Sequence, residues 1–151
     1  MQKLVFDSGI REYQINDDGV LRFNPSDPNV YARFLDAAEQ IKGIEKDLME
    51  KGKALGAEKD TGEAIIRLMA EADRRTKELL SDVFGAENDF HKILGGVNLL
   101  AVANNGERVI TNFINALLPI IQEGAEQCAQ KQISEAQAAA AGNRAARRAQ
   151  Q

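Results

Sequence analysis

The chain changes from strand to helix within the stretch Phe23-Asn24-Pro25-Ser26-Asp27-Pro28-Asn29. Asp27 can cap a helix by accepting a backbone hydrogen bond, and Pro28 suits the first helical position, where its missing N–H costs nothing. Beyond this stretch, apolar residues recur at three- and four-residue steps. This spacing predicts an amphipathic helix that runs to about Leu55.

Before this junction, residues 2–23 carry short apolar runs separated by turn signals. Asp7-Ser8-Gly9-Ile10 and Asn16-Asp17-Asp18-Gly19 are typical turns, since glycine tolerates positive φ. We therefore expect an antiparallel β-meander of three short strands, at Leu4-Val5-Phe6, 10–15 and 20–23. Three such strands are marginal alone and must pack on the helices.

After the first helix, Asp60 and Glu63 resemble a capping box that opens a second helix ending at Gly85. In this helix Asp73 and Lys77 lie four residues apart, so we expect them to pair on its outer face.

Two more helical patterns complete the chain. Asn88 or Asp89 can cap a short helix that ends at Gly95-Gly96, and a last long helix begins near Glu107. The predicted fold is mainly α (α+β), with three main helices in a bundle and a short extra helix. Residues 1–141 are expected to form a single domain, which comprises the meander 1–23, a helical core 24–121 and a projecting helix 122–141, before a basic flexible tail 142–151.

Composition agrees with this fold and limits the chemistry. The chain has 151 residues, of which 44% are hydrophobic and 28% charged, as in an ordinary soluble globular domain. With 6 Phe, 2 Tyr and no Trp, a helical core of Leu, Ile, Val and Ala is favoured over a β-sandwich. The single cysteine, Cys128, excludes an internal disulfide, and with one histidine an all-His/Cys metal site within one chain is excluded.

Targeting and charge point to a cytosolic protein. Asp7 comes too early for a secretory signal, and the apolar stretch 109–121 is too short and too polar to span a bilayer. The net charge of −4 argues against nucleic acid as a partner of the folded body.

No residue pattern indicates catalysis, so we expect no catalytic, cofactor-binding or metal-binding residues. His91 lacks a partner acid on its own helix face and is interpreted as a structural or surface histidine. Cys128 is interpreted as a small packing residue. The glycines at 85, 95 and 96 match no phosphate-binding motif, and Asp17-Asp18 is interpreted as a hairpin turn rather than a cation site.

Three segments are candidate interaction surfaces instead. The irregular segment 84–100 either folds back over the core or presents an apolar surface to a partner or a second copy. The helix beyond Pro119 is either a frayed end or an arm that docks on another chain. The basic tail is either a solvated end or an electrostatic contact for an acidic partner or nucleic acid. The candidate residues are Phe90, Ile93, Leu94, Leu99 and Leu100 for the apolar surface, and Arg144, Arg147 and Arg148 for the tail.

The order of these parts is similar to that of a known family. The β-meander and the strand-to-helix junction come first. The later marks are Asp82-Val83-Phe84-Gly85, Lys92-Ile93-Leu94-Gly95-Gly96, Phe113, Leu117-Leu118-Pro119-Ile120-Ile121 and Asn143-Arg144-Ala145-Ala146-Arg147-Arg148. In this order the chain resembles the small tail assembly chaperones, and related tail-module proteins, of long-tailed phages and prophages of Gram-positive bacteria.

The resemblance implies a non-enzymatic role in building the virion tail. Such proteins coat the tape measure protein before tail tube subunits polymerise around it. The implied partners are the tape measure protein, the tail tube protein and further copies of the chain, in the cytoplasm of the bacterial host and not in the mature virion. Many members also have a frameshifted long form, and we expect this chain to be the short form.

Two other hypotheses stay open. A structural head–tail joining or minor tail protein would be present in purified virions. A small nucleic-acid-binding regulator would use the basic tail, although the acidic body argues against it. An enzyme is the weakest hypothesis, for want of a convergent polar site.

Overall fold

The computed structural model describes residues 1–56 and 61–150. The structure is mostly helical, at 66%, with antiparallel β-structure at the N-terminus, and this part of the prediction is confirmed. The elements in chain order are β1 (Arg11–Ile15), β2 (Gly19–Phe23), α1 (Pro28–Leu55), α2 (Gly62–Phe84), α3 (Phe90–Ile93) and α4 (Val109–Ala149).

The sheet within these residues has two strands, so the prediction of three strands is wrong. β1 and β2 pair antiparallel, with Tyr13 opposite Leu21. Leu4, Val5 and Phe6, the predicted first strand, lie outside any regular element and have exposed side chains. A short run of apolar residues favours an extended segment but does not specify the edge on which it pairs.

The predicted junction between strand and helix is confirmed. The Asp27 carboxylate accepts the backbone N–H of Asn29 at 2.9 Å, and Pro28 is the first residue of α1. α2 begins at Gly62 after Thr61, whose side chain makes no capping hydrogen bond. Asp60, the predicted cap of this helix, lies outside the described residues.

The core is held together by a row of phenylalanine rings contributed by four elements. Phe84 of α2 lies 4.9 Å from Phe23 of β2 and 5.8 Å from Phe90 of α3, between ring centroids. Phe90 in turn lies 6.2 Å from Phe113 of α4 in an edge-on arrangement. Such tilted and edge-on pairs are favourable beyond the area that they bury. The three long helices pack unevenly around this row, since α1 meets α2 over a longer stretch than it meets α4.

Only the first half of α4 contributes side chains to the core. It buries Phe113, Leu117 and Ile121, and its buried Gly124 lies directly against the backbone of Pro25. A Cβ atom at position 124 would approach the Pro25 carbonyl oxygen to 1.9 Å, so only glycine fits this crossing. The helix therefore leaves the body later than residue 122, the predicted start of the projection.

The end of α4 differs from the predicted flexible tail. The helix continues past Gly142 to Ala149, and every residue from 129 to 149 is exposed. Alanine and arginine are strong helix formers, and together they outweigh the cost of about 1 kcal/mol for one glycine in a helix. Among the described residues, no helix is both long and apolar enough to cross a membrane.

Candidate functional site

The apolar surface predicted in segment 84–100 belongs to the core. The side chains of the five candidate residues are 0% to 7% exposed, so they offer no surface to a partner in this structure. The alternative interpretation, a segment folded back over the core, is therefore the correct one. The residues concerned are Phe90, Ile93, Leu94, Leu99 and Leu100.

Asn88 fixes the start of this segment. Its side-chain amide donates to the carbonyls of Arg22 and Phe84, each at 2.9 Å, and its side-chain oxygen accepts the N–H of Arg22 at 2.9 Å. One buried side chain thus satisfies backbone groups of β2 and α2 at once. The residue predicted as a possible cap for α3 has this bridging role instead, while Asp89 caps α3 by accepting the N–H groups of His91 and Lys92.

Asp73 and Lys77 fix the end of this segment. The Lys77 ammonium donates to Asp73 at 2.8 Å and to the Val97 carbonyl at 2.9 Å, while the other Asp73 oxygen accepts the Leu99 N–H at 2.8 Å. The Lys77 side chain is only 4% exposed, so the prediction that this pair lies on the outer face is wrong. Buried backbone groups need partners, and this clamp supplies them to an irregular loop.

Outer-face pairing on α2 does occur at Arg74, which bonds to Glu71 and Glu78. The hydrogen bond from Arg74 holds the pKa of Glu71 below its ordinary value. These three side chains are about half exposed or more, so they form a solvated face rather than a site.

The remaining sequence candidates do not converge on a site. His91 is exposed on α3, Cys128 is half-buried on α4, and the three tail arginines are exposed near the end of α4. Within residues 1–56 and 61–150, no group of three or more His, Cys, Asp or Glu side chains lies close enough to hold a metal ion.

An open apolar cleft, which the sequence did not reveal, lies between the hairpin, the loop after α3 and the first half of α4. Its volume is about 670 Å³. The polar lining consists of Gln14, Asn16, Asp18 and Asn112, of which Asp18 alone is a carboxylate. The apolar lining includes Tyr13, Ile15, Val97, Val109, Phe113, Leu117 and Ile120. A cleft with this lining suits apolar groups better than a small charged ligand.

This cleft runs along the free edge of β1. Four consecutive residues, 13–16, line it, whereas a cleft on the face of a strand would be lined by alternate residues. The pairing of β1 with β2 also indicates that this edge of β1 is free. Arg22 turns its backbone groups toward Asn88 and away from β1, so its partner Glu12, and by alternation Gln14, direct their N–H and C=O groups away from β2. Within the described chain, β1 has no strand on that side.

The exposed half of α4, residues 129–149, is the second candidate surface, which we call the arm. At its root, a groove of about 610 Å³ lies between the start of α1 and α4, lined by Pro28, Tyr31, Ala125, Cys128 and Ala129 among others. From the groove a stripe of mostly small residues continues along the arm at alternating four- and three-residue steps. The stripe comprises Ala125, Ala129, Gln132, Ala136, Ala139, Asn143 and Ala146.

The stripe can be recognised in the sequence, because alternating four- and three-residue steps keep residues on one side of a helix that pairs with another. The cleft has no comparable signal, since its walls come from three distant parts of the chain.

No protein-family model, no curated protein and no solved structure matches this chain.

Proposed function

We propose that this chain is a phage tail assembly chaperone that binds helical segments of the tape measure protein along its arm and keeps that protein soluble. It acts without chemistry, in the cytoplasm of the bacterial host, and is released before the virion is complete. The observation that carries the proposal is the arm itself, a helix exposed from residue 129 to Ala149 and continuous with an apolar groove at its root. The order of elements that resembles tail assembly chaperones supports it.

The length of the arm suits a repetitive client. At 1.5 Å per residue the exposed helix extends roughly 30 Å from the body, so one copy covers several turns of a helical partner. An isolated helix of this size is marginal in water, and packing against another helix stabilises it.

The small side chains of the stripe set how a client binds. Alanine at the contact positions allows two helices to approach to the short end of the usual 8–10 Å range. It also buries little area for each residue, so each contact is weak. Weak contacts repeated along a client add up when several copies bind side by side, and the polymerising tail tube can displace them one at a time.

The charge of the arm favours an acidic client face. The arm carries Lys131 and three arginines against one carboxylate, that of Glu135, while the whole chain has a net charge of −4. Arg144, Arg147 and Arg148 are exposed, and exposed contacts of this kind weaken as salt rises. Their effect on affinity is therefore expected at low ionic strength.

Co-expression with fragments of the tape measure protein tests the proposal. We expect the full chain to raise the soluble fraction of the fragments and to elute with them from a sizing column. The double variant Ala136→Glu/Ala139→Glu places two carboxylates on the stripe and should abolish both effects. The matched control Ala138→Glu/Ala141→Glu makes the same change on the opposite side of the arm and should retain both.

Three results would contradict the proposal. One is fragments that stay insoluble with the wild-type chain, and another is equal loss in both double variants. The third is the chain's presence in purified virions, which would favour a structural tail protein instead. Salt-dependent binding to a random DNA duplex, lost when residues 142–151 are deleted, would point to a nucleic-acid-binding regulator.

A further inference from the structure

The segment Leu4-Val5-Phe6 presents three large apolar side chains to solvent. Their exposure is 86%, 79% and 74%, respectively. The segment is followed by two hydrogen bonds, in which Asp7 accepts the N–H of Gly9 at 2.8 Å and the Asn24 side chain donates to the Ser8 carbonyl at 3.1 Å. It is therefore attached to the body at a fixed point while its apolar side chains remain uncovered.

The same molecule carries a surface that fits this segment. The free edge of β1 offers the backbone groups of Glu12 and Gln14, and the apolar cleft of about 670 Å³ lies beside that edge. Exposed strand edges pair readily with extended segments of other chains. Such pairing takes affinity from the backbone and specificity from alternate side chains that enter pockets.

We infer that Leu4-Val5-Phe6 of one copy adds as a strand to the free edge of β1 in a second copy, with Leu4 and Phe6 in its apolar cleft. The three-stranded sheet that the sequence predicts within one chain then forms between two copies. This inference uses neither the arm nor any client, so it stands independently of the proposed function.

The side chains settle which face of the segment enters the cleft. Alternate residues of a strand point to opposite faces, so either Leu4 and Phe6 or Lys3 and Val5 face the cleft. The second choice would place the Lys3 ammonium in an apolar space, which is costly. In the first choice Lys3 stays outside, on the side of solvent, and the carboxylate of Asp18, which lines the cleft, attracts it.

The contact joins two different patches of the molecule, so it does not close on itself in a pair. Each bound copy still offers a free cleft or a free segment to the next copy. Contacts of this kind build rings or open filaments. The expected assembly is a head-to-tail series that lengthens as protein concentration rises.

Sedimentation velocity of the full chain, from low micromolar to millimolar concentration, measures this association. We expect the wild-type chain to form a growing series. Phe6→Asp should weaken the association roughly tenfold or more, because it removes a buried aromatic side chain and places a charge in the cleft. Val5→Asp makes the same kind of change one residue earlier, on the face directed to solvent, and should weaken it much less.

A mixing experiment identifies the cleft as the other half of the contact. Ala116 is exposed and lines the cleft, so Ala116→Glu should block the cleft without affecting the fold. Ala70→Glu on the exposed face of α2 is its control. At a concentration at which the wild-type chain just associates, Phe6→Asp and Ala116→Glu chains should each remain monomeric, and their mixture should form a one-to-one dimer, since each retains the half that the other has lost.

Three results would overturn the inference: a wild-type chain that is monomeric at every concentration, equal effects of Val5→Asp and Phe6→Asp, or no dimer in the mixture. Far-UV circular dichroism of each variant shows that its helices are intact, so a loss of association is not a loss of fold.

Discussion

Two apolar segments near glycines differ in whether their side chains are buried. Leu4-Val5-Phe6 is exposed, whereas Leu99-Leu100 is fully buried. Both segments consist of large apolar residues, so the hydrophobic effect alone does not explain why one is exposed and the other buried. The difference lies in the polar groups around them. Asp73 accepts the N–H of Leu99, and Lys77 donates to the carbonyl of Val97. The exposed segment is anchored only by the hydrogen bonds of residues 7–9 that follow it.

This contrast shows how an irregular segment enters a core. A strand or helix satisfies its own backbone, but a loop must find partners elsewhere before its apolar side chains can be buried. Residues 84–103 find such partners in several side chains, among them Asn88, Asp73 and Lys77. Residues 1–6 have no comparable partners within the described chain, and their apolar side chains remain available to another molecule.

The largest expected difference between the two segments is in stability. Phe90→Ala should lower the free energy of unfolding by about 3–5 kcal/mol, because it opens a cavity in the row of phenylalanine rings. Phe6→Ala, the same substitution on the exposed segment, should change the unfolding free energy of the monomer by less than about 0.5 kcal/mol. Urea unfolding at low protein concentration measures both, and similar losses would contradict the assignment of core and surface.

The clamp on the loop gives the next largest effect. Lys77→Ala leaves Asp73 without its cation and the Val97 carbonyl without a donor, so we expect a loss of about 3 kcal/mol. Lys42→Ala removes the exposed pair with Glu39 and should cost less than about 1 kcal/mol. If the two variants unfold at the same urea concentration, the internal ion pair does not hold the loop.

Asn88 provides a smaller test of the same idea. Asn88→Ala removes three hydrogen bonds and leaves buried backbone groups unpaired, for an expected loss of about 2 kcal/mol. Asn105→Ala also removes three hydrogen bonds, two to Asn112 and one from the N–H of Glu107, but all are exposed, so it should be nearly neutral. Thermal unfolding of the two variants makes the comparison, and an equal fall in Tm would argue against a bridging role for Asn88.

Local signals in the sequence predict much of the fold. The cap at Asp27, the hairpin turn at 16–19 and the end of α2 at Gly85 are all found as predicted, because each depends on a few neighbouring residues. The first strand and the apolar surface could not be predicted correctly, since burial of both depends on distant partners. Asp73 and Lys77 look like any surface pair in sequence, and only the loop that folds onto them makes them internal.

The candidate site was less predictable than the fold. The sequence predicts the arm as one of two alternatives, and the stripe of mostly small residues is visible in the spacing of residues 125–146. The cleft forms where β1, the loop near Val97 and α4 pack together, and no local sequence pattern predicts that packing. The apolar run 4–6 predicts a strand that the structure does not contain within one chain, and we infer that its strand partner is another copy.

Hydrogen–deuterium exchange of the full chain, followed by mass spectrometry at low and high protein concentration, compares both segments in one measurement. We expect amides of residues 97–100 to be protected at both concentrations, while amides of residues 3–6 gain protection only at high concentration. Protection of residues 3–6 that does not change with concentration, or rapid exchange of residues 97–100, would contradict it.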